Sequence, residues 1–500
     1  MNNLNDIVPG AGGLSSVLIR VLTRVQTFAD REGLACYLVG GVLRDQLLGR
    51  FPAYLNVDLA IPRGTLTAAP RLAAYLHGAF VPLDEEAGSA RVVVSESGHR
   101  VELDLNDFRG STLEADLARR DFTINAIAIA LSDWLNAPHA LRHVIDPLGG
   151  RQALARRALI PCFPGTFMDD PVRILRAFRF VAQLDATLDG SALPLITAAL
   201  ARLSAVSGER IRDELIAIFE TDRAHIALQG LNTLGVLDVV FPELSAGRGM
   251  KQGGVHHLDV LGHQLETVAQ ADRIFLDFAE FSTPLRAPLA AYGAEQLVER
   301  RSRKSLIKLA GLLHDAGKPA KRTVEADGEI WFIGHEHVGA ALAEGIVERL
   351  RLANREAEMI CQLIRHHLRP GFLSREPQLT RRAVYRFFKD LGDHGPGCLL
   401  AWWADRMAAR GPQSRLDQLD QQRSRLEELL SAYFFKAEEV VRPPRLVDGY
   451  RLMESLKLKP GPLIGALLAA IEEAQAEGRV RSTEEALALA RSHLEGRPPK

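Results

Sequence analysis

Eight of the fifteen histidines, His256, His257, His263, His314, His335, His337, His366 and His367, fall within residues 256–367, more than twice what an even spread would place there. Histidine is seldom enriched for packing alone, and an isolated one is more often a surface or satisfied core residue than a ligand. Here His263, His314-Asp315, His335, His366-His367 and Asp405 follow one another on segments of helical character. Nitrogen and oxygen donors in that mixture suit Mn²⁺, Fe, Ni²⁺, Co²⁺ or Zn²⁺ better than Ca²⁺.

A second group of chemically able residues lies nearer the N-terminus. In YLVGGVLRDQLLG a strand-like run passes directly into a helix, which sets Gly40 and Gly41 at a turn with outward backbone N–H groups. That is a phosphate cradle in principle, although a tight turn without a ligand satisfies the same pattern, and Arg44-Asp45 reads equally as a solvated ion pair. Asp58 in NVDLAI and Asp104 in VELDLNDFR sit on later strands whose side chains can converge beside the turn. Phosphoryl or nucleotidyl transfer needs such carboxylates, because two Mg²⁺ ions about 3.5–4 Å apart must activate a hydroxyl and neutralise the leaving pyrophosphate. In RRDFTINAIA, Arg120, Asp121 and Asn125 supply a cation, an acceptor and a mixed donor/acceptor, suited to a triphosphate and ribose hydroxyls or simply to a charged turn before a buried helix.

Positioning these groups falls to two textures of sequence. After a polar, Gly-rich start at 1–13 and a helix over Leu14–Glu32, residues 35–150 alternate short apolar runs (ACYLVG, NVDLAI, AFVPLD, RVVVSE, RVELDLND) with helix-like pieces, which predicts a mixed sheet with helices. From about 151 onward the pattern is helical, with one expected hairpin at TVEADGEIWFIG turning at Asp327-Gly328. The fold class is therefore α+β: an N-terminal extension and helix (1–34), a mixed-sheet head (35–150), a helical neck (151–245), a further helical domain (246–410) and a helical tail (411–500). Gly-rich AGRGMKQGGVHH, GPQS and VVRPPR mark junctions, and no period of 20–50 residues repeats.

LVGGxxRD, the strand Asp after LLG, RRDFTINA, IDPLGG, DDPVRILRAFRF and GERIRDEL, in this order, resemble the class II tRNA nucleotidyltransferases and the related bacterial poly(A) polymerases. The resemblance implies a polymerase-β-like head that adds CMP and AMP, from CTP and ATP, to the 3′ end of tRNA. It implies that Gly40, Gly41 and Arg44 bind the triphosphate, that Asp58 ligates catalytic Mg²⁺ with Asp104 as a third acidic position, and that Arg120, Asp121 and Asn125 select the ribose. Asp170 and Arg173 match the family's EDxxR and would read the Watson–Crick edges of CTP and ATP, an acceptor and a donor fork at i and i+3 on one helix face; Arg176 and Arg179 continue that face. Sequence alone separates CCA addition poorly from CC-only, A-only or poly(A) addition.

One position departs from the pattern. The family carries Asp-x-Asp on the metal strand, where this chain reads Asn56-Val57-Asp58. An asparagine oxygen can still approach a cation but removes one negative charge, so metal affinity and rate should fall. Three readings follow: a weakened transferase, an active scaffold with an altered catalytic residue at Asn56, or a head that binds tRNA without catalysing addition.

The histidine-rich region resembles the HD phosphohydrolase domain, named for an adjacent His-Asp. That implies His263, His314, Asp315 and Asp405 at a first metal, with His335 and His366 or His367 at a second, and Lys318 against a phosphate. HD domains fused to such transferases imply hydrolysis of 2′,3′-cyclic phosphates and 2′-phosphates in tRNA end repair; a relic domain holding metal for stability is the alternative.

Composition constrains less. With 61 Lys+Arg against 62 Asp+Glu the net charge is −1, and 47% hydrophobic residues exclude collagenous, disulfide-rich and disordered classes. The four cysteines form no short metal spacing, there is no signal-like start, and no run approaches 18 apolar residues, so a cytoplasmic protein without a membrane partner is expected. Locally, 296–322 carries eight basic residues against Glu299 and Asp315, a stretch of +6 suited to a tRNA backbone. Arg381, Arg382, Arg386 and Lys389 beside Tyr385 and Phe387 suggest either an RNA-facing helix or a solvated face.

Overall fold

A computed structural model describes residues 13–50, 55–136 and 140–496; the start expected to be loose falls, over 1–12, outside the described residues. The chain divides into two compact units, residues 1–206 and 207–500. No helix among the described residues is long and apolar enough to cross a membrane.

The first unit is built on a six-stranded sheet of order β3-β4-β5-β2-β1-β6. Its strands are β1 (Tyr37–Val39), β2 (Leu55–Ile61), β3 (Ala79–Asp84), β4 (Ser89–Glu96), β5 (His99–Asp107) and β6 (Ala128–Ala130). Only β2 and β5 run parallel. Their central position follows from the sequence: period-two alternation sends Val57, Leu59, Ala90, Val92, Leu103 and Leu105 to one face, all nearly inaccessible. Helix Thr65–Leu76 packs on the sheet and buries Ala68, Ala69, Leu72 and Leu76. The same alternation places Asn56, Asp58, Arg91, Glu102 and Asp104 on the opposite face, so the apolar pattern that makes the core also assembles the polar site.

Beyond β6 the unit is helical apart from a short parallel pair, Ala158–Leu159 with Thr187–Leu188. Phe122, fully buried, meets Phe180 edge-on at 5.9 Å and Phe167 at 6.1 Å, which fixes the RRDF turn against helix Arg173–Leu184.

The second unit is helical apart from short two-stranded pairs, including the expected hairpin pairing Thr323–Val324 with Ile330–Trp331. Helices Val260–Asp277, Arg303–Leu313 and Gly395–Ala408 pack together at its centre, and helices His335–Arg349 and Asn354–His366 pair beside them. A separate small core, formed by Leu452, Ile464, Leu467 and Ile471 among others, holds the tail helices.

One charge expectation is corrected and a second resolves toward one of its two readings. The basic stretch 296–322 is largely spent on internal pairs: Arg301 with Glu356 at 2.9 Å, Arg303 with Glu295 at 2.9 Å, Lys304 with Asp222 at 3.1 Å, and Lys308 with Asp272 at 2.6 Å. In helix Arg381–Leu391, Tyr385, Phe387 and Phe388 are core residues. Arg382 and Arg386 both bind Glu473 of the tail, and Arg381 donates to the Ala476 and Glu439 carbonyls. Arg382 and Arg386 remain half exposed in these pairs, which fits the solvated face that is the other reading of this helix.

Candidate active sites

In the first unit Asp58 and Asp104 are direct register partners across β2 and β5, as are Asn56 and Glu102 one step back. Burial and then the neighbouring Asp104 carboxylate raise the Asp58 pKa, as expected where carboxylates crowd. The glycine turn closes over this pair. Gly40 has φ of 72°, and a Cβ there would stand 3.2 Å from Asp58 Oδ2 and 3.7 Å from an Arg120 nitrogen, so only glycine lets the backbone approach. A Gly41 Cβ would lie 3.8 Å from Arg44.

A hydrogen-bonded chain then runs through the residues of the cradle. Arg44, buried, donates to Asn125 Oδ1 at 2.9 Å; Asn125 Nδ2 donates to Asp121 Oδ1 at 3.1 Å; and Arg176 reaches Asp121 Oδ2 at 3.5 Å. Burial alone would raise the Asp121 pKa, but Arg176, Asn125 and the Phe122 N–H hold it below the usual value. Arg44 also lies over the Phe180 ring at 5.1 Å and Arg179 over the same ring at 4.6 Å. Arg173, on the first turn of its helix, pairs with Asp170 at 3.7 Å and donates to the Thr166 carbonyl at 3.3 Å. The transferase residues expected from Gly40 to Arg179 all lie in the first unit, whereas the GERIRDEL segment lies on helix Gly208–Phe219 of the second.

The structure adds three that sequence reading missed. Asp116 takes two donors from Arg120, at 3.0 and 3.2 Å, and one from the Arg109 N–H, aiming Arg120 at the turn. Arg91 grips Asp104 with two bonds, at 2.7 and 2.9 Å, and reaches Glu102 at 3.1 Å. Alternation puts Arg91 and Glu102 on the site face of β4 and β5, but that face also carries Ser89, Val93, Ser95 and Asn106, so the pattern by itself does not single them out.

In the second unit the donors come from five helices or their ends. His263 Nε2 stands 2.8 Å from Asp405 Oδ1 and 3.7 Å from Asp315 Oδ2. His314 Nε2 is 3.1 Å from Asp315 Oδ2, while Asp315 Oδ1 faces His335 Nε2 at 3.1 Å and His367 Nε2 at 3.9 Å. Two ligand groups result, His263–His314–Asp405 and Asp315–His335–His367, with Asp315 between them. His314, His335 and His367 each place Nδ1 at 2.6–2.7 Å from a backbone carbonyl three residues earlier. Nδ1–H donation there leaves each Nε2 lone pair facing inward. The Nε2 atoms of His263, His314, His335 and His367 and the carboxylates of Asp315 and Asp405 converge in a buried cluster, a nitrogen and oxygen donor set that fits divalent metal.

Burial would keep His314 neutral, but the Asp315 and Asp405 carboxylates raise its pKa to about 10 when no cation lies between them. Burial and the neighbouring His314 push His367 down to about 3. The pair His366-His367 divides: His367 is buried in the cluster, whereas His366 is half-buried and outside both ligand groups, a correction to the expectation that included it. His257 and His337 are exposed and also stand outside. Lys318 is committed to Asp315 at 2.6 Å and to Gln252 at 2.7 Å. His256 packs edge-on against His263 with ring centroids 4.4 Å apart.

Fold and sites together define a nucleotidyltransferase head joined in one chain to an HD domain. Residues 36–160 match the family described as Poly A polymerase head domain, 187–247 the probable RNA and SrmB-binding site of polymerase A, 260–390 the HD domain, and 408–490 tRNA nucleotidyltransferase domain 2. An A-adding tRNA nucleotidyltransferase of Deinococcus radiodurans is 36% identical, over 92% of this chain and 96% of the relative. A CC-adding tRNA nucleotidyltransferase of Thermus thermophilus is 33% identical, over 90% and 92%. The chain belongs to the tRNA nucleotidyltransferase family. In fold it resembles a CCA-adding enzyme in complex with ATP (TM-score 0.62, 22% identity, 96% of this chain and 98% of that one). It likewise resembles a Thermotoga maritima CCA-adding enzyme in complex with tRNA (0.59, 21%, 98% and 97%). Both domain types imply divalent-metal use.

Proposed function

We propose that this cytoplasmic chain builds the 3′ end of tRNA, transferring CMP and AMP from CTP and ATP with release of pyrophosphate, and that its HD domain hydrolyses phosphoesters at damaged tRNA ends. The observation that carries the first part is the Asp58–Asp104 pair beside Gly40, continuous with the Arg44–Asn125–Asp121–Arg176 chain. Arg44 and Arg120 would hold the triphosphate, Asp121 and Asn125 the ribose, and Asp170 with Arg173 the base edge. Mg²⁺, for which the Asp58 carboxylate and the buried, unpartnered Asn56 Oδ1 are suitable hard donors, would supply charge neutralisation at the reacting phosphate. The tRNA 3′-hydroxyl then attacks the α-phosphorus in line and pyrophosphate leaves, with positioning contributing much of the acceleration. In the HD domain, ions such as Ni²⁺, Mn²⁺, Co²⁺, Fe or Zn²⁺ would polarise the phosphoester and activate water. The working division is head 35–150, neck 151–245, HD domain 246–410 and tail 411–500.

A narrower reading, addition of only the terminal A or only CC, is favoured by one observation: relatives that match nine-tenths or more of this chain include an A-adding enzyme and three CC-adding ones. One experiment separates them. tRNA lacking CCA and tRNA ending in CC are incubated with Mg²⁺ and each labelled nucleotide, using the natural chain and Asn56→Asp. Extension by three residues supports full CCA synthesis, and extension of only one substrate supports the narrower activity. No extension by either protein would leave a tRNA-binding head and defeat the transferase proposal.

A further inference from the structure

On the site face of the sheet the charges do not simply accumulate. Asp58 makes no hydrogen bond or ion pair among the described residues. Asp104 is held at both oxygens by Arg91, through Nε to Oδ1 at 2.7 Å and Nη2 to Oδ2 at 2.9 Å. Glu102, 2% exposed, pairs with Arg91 at 3.1 Å and Arg100 at 2.9 Å. Position 56, which would carry a third anion in the family's pattern, is neutral. Two cations thus pair directly with two of the three carboxylates on this face, while Asp58 stands outside any ion pair and is offset only at longer range by Arg120 and Arg176.

Resting on the transferase reading above, we infer that Arg91 sets the divalent-ion demand of this head: clamped on Asp104 opposite Asp58, its guanidinium takes the electrostatic place that a cation would fill. Each Asp104 oxygen keeps a second lone pair, so the clamp does not block ligation. It lowers the negative potential that draws an ion in. A site with one carboxylate outside any ion pair, itself within the field of Arg120 and Arg176, holds Mg²⁺ poorly by itself, and Mg²⁺ ordinarily relies on substrate phosphates for part of its shell. The ion then enters with the nucleoside triphosphate, and Asn56 and Arg91 act in the same direction. Arg91 is a positioning residue: it touches Asp104, and its effect reaches bound nucleotide through the cation.

The test is equilibrium binding of radiolabelled ATP and CTP to the full chain while Mg²⁺ is titrated. Wild type is compared with Arg91→Met, Arg91→Lys, Asn56→Asp and the double variant Asn56→Asp/Arg91→Met, with thermal melting measured on each. Arg91→Met and Asn56→Asp are each expected to lower the Mg²⁺ half-saturation by roughly threefold to tenfold, and the double variant by more, since a unit charge is being removed or added beside the ion. Arg91→Lys keeps the charge without the fork and falls between wild type and Arg91→Met. If Arg91→Met leaves the half-saturation unchanged or raises it while melting like wild type, the inference is overturned. If Arg91→Met melts early, Arg91→Lys decides by the direction of its shift. Absence of Mg²⁺-dependent nucleotide binding in every variant overturns the transferase reading and this inference with it, an outcome distinct from binding that persists with an unmoved Mg²⁺ demand.

Discussion

The Nε2 atoms of His335 and His367 stand 3.2 Å apart, each on a ring whose Nδ1 is spent on a backbone carbonyl. Two inward lone pairs at that distance, with Asp315 Oδ1 at 3.1 Å from the first, repel unless a cation lies among them. Metal content measured by inductively coupled plasma mass spectrometry should therefore fall selectively. His367→Ala is expected to remove metal from the Asp315–His335–His367 group alone, Asp315→Asn to weaken both groups, and His366→Ala to leave the content as in wild type. Equal loss in His366→Ala and His367→Ala would contradict the division of that pair.

Asp121, proposed to hold the ribose, also bears on stability. Its folded pKa lies below 3.8, because Arg176, Asn125 and the Phe122 N–H outweigh burial. A depressed carboxylate contributes stability that is present above its unfolded pKa and is lost as pH falls through the folded value. Asp121→Asn should flatten the acid limb of a melting-temperature profile below about pH 4. Because Asp121 accepts hydrogen bonds from its neighbours while a ribose would use the same face, ATP affinity at neutral pH should drop about tenfold, the size of one charge-assisted hydrogen bond. An unchanged acid limb would show that the Arg176 pair contributes nothing.

Gly40 admits a sharper substitution. Its φ of 72° and the 3.2 Å approach of Asp58 Oδ2 to a Cβ mean that Gly40→Ala carries both backbone strain and a crowded carboxylate. A destabilisation of about 1–2 kcal/mol in urea unfolding is expected. Nucleotide binding should weaken more than Gly41→Ala weakens it, since a Gly41 Cβ meets only Arg44 at 3.8 Å.

Much of this was legible in the sequence, for reasons the structure makes concrete. Alternation in β2, β4 and β5 determines which residues face the core, so Asp58 and Asp104 had to share a face once the strands paired. The helix-borne histidines were legible because their type is rare in packing roles. Which of His366 and His367 turns inward was not, since consecutive residues at a helix end differ by about 100° of rotation and only the packed neighbours fix the phase. Arg91 and Asp116 escaped notice because a lone charge on a strand or helix carries no spacing signal. The basic stretch misled for a related reason: a charge count ignores distant partners, and Glu220, Asp222, Asp272 and Glu356, which engage it, lie up to 82 residues away.

Lys308 is the clearest case of such a hidden partner and the most exacting test. Counted as part of a basic surface, it is fully buried, 2.6 Å from Asp272 and 2.6 Å from the Thr221 carbonyl, while Asp272 also receives the His225 N–H at 2.9 Å. Burial lowers the Lys308 pKa, opposed by Asp272. Lys308→Met leaves Asp272 charged in the interior, so unfolding free energy should fall by about 3–5 kcal/mol. Adding Asp272→Asn to that variant should restore a large part of the loss, because the uncompensated charge is gone and the amide still accepts from His225. RNA affinity should change little once both proteins are folded. A loss in tRNA binding at full stability would instead mean that Lys308 serves the nucleic acid, as its sequence neighbourhood alone suggested.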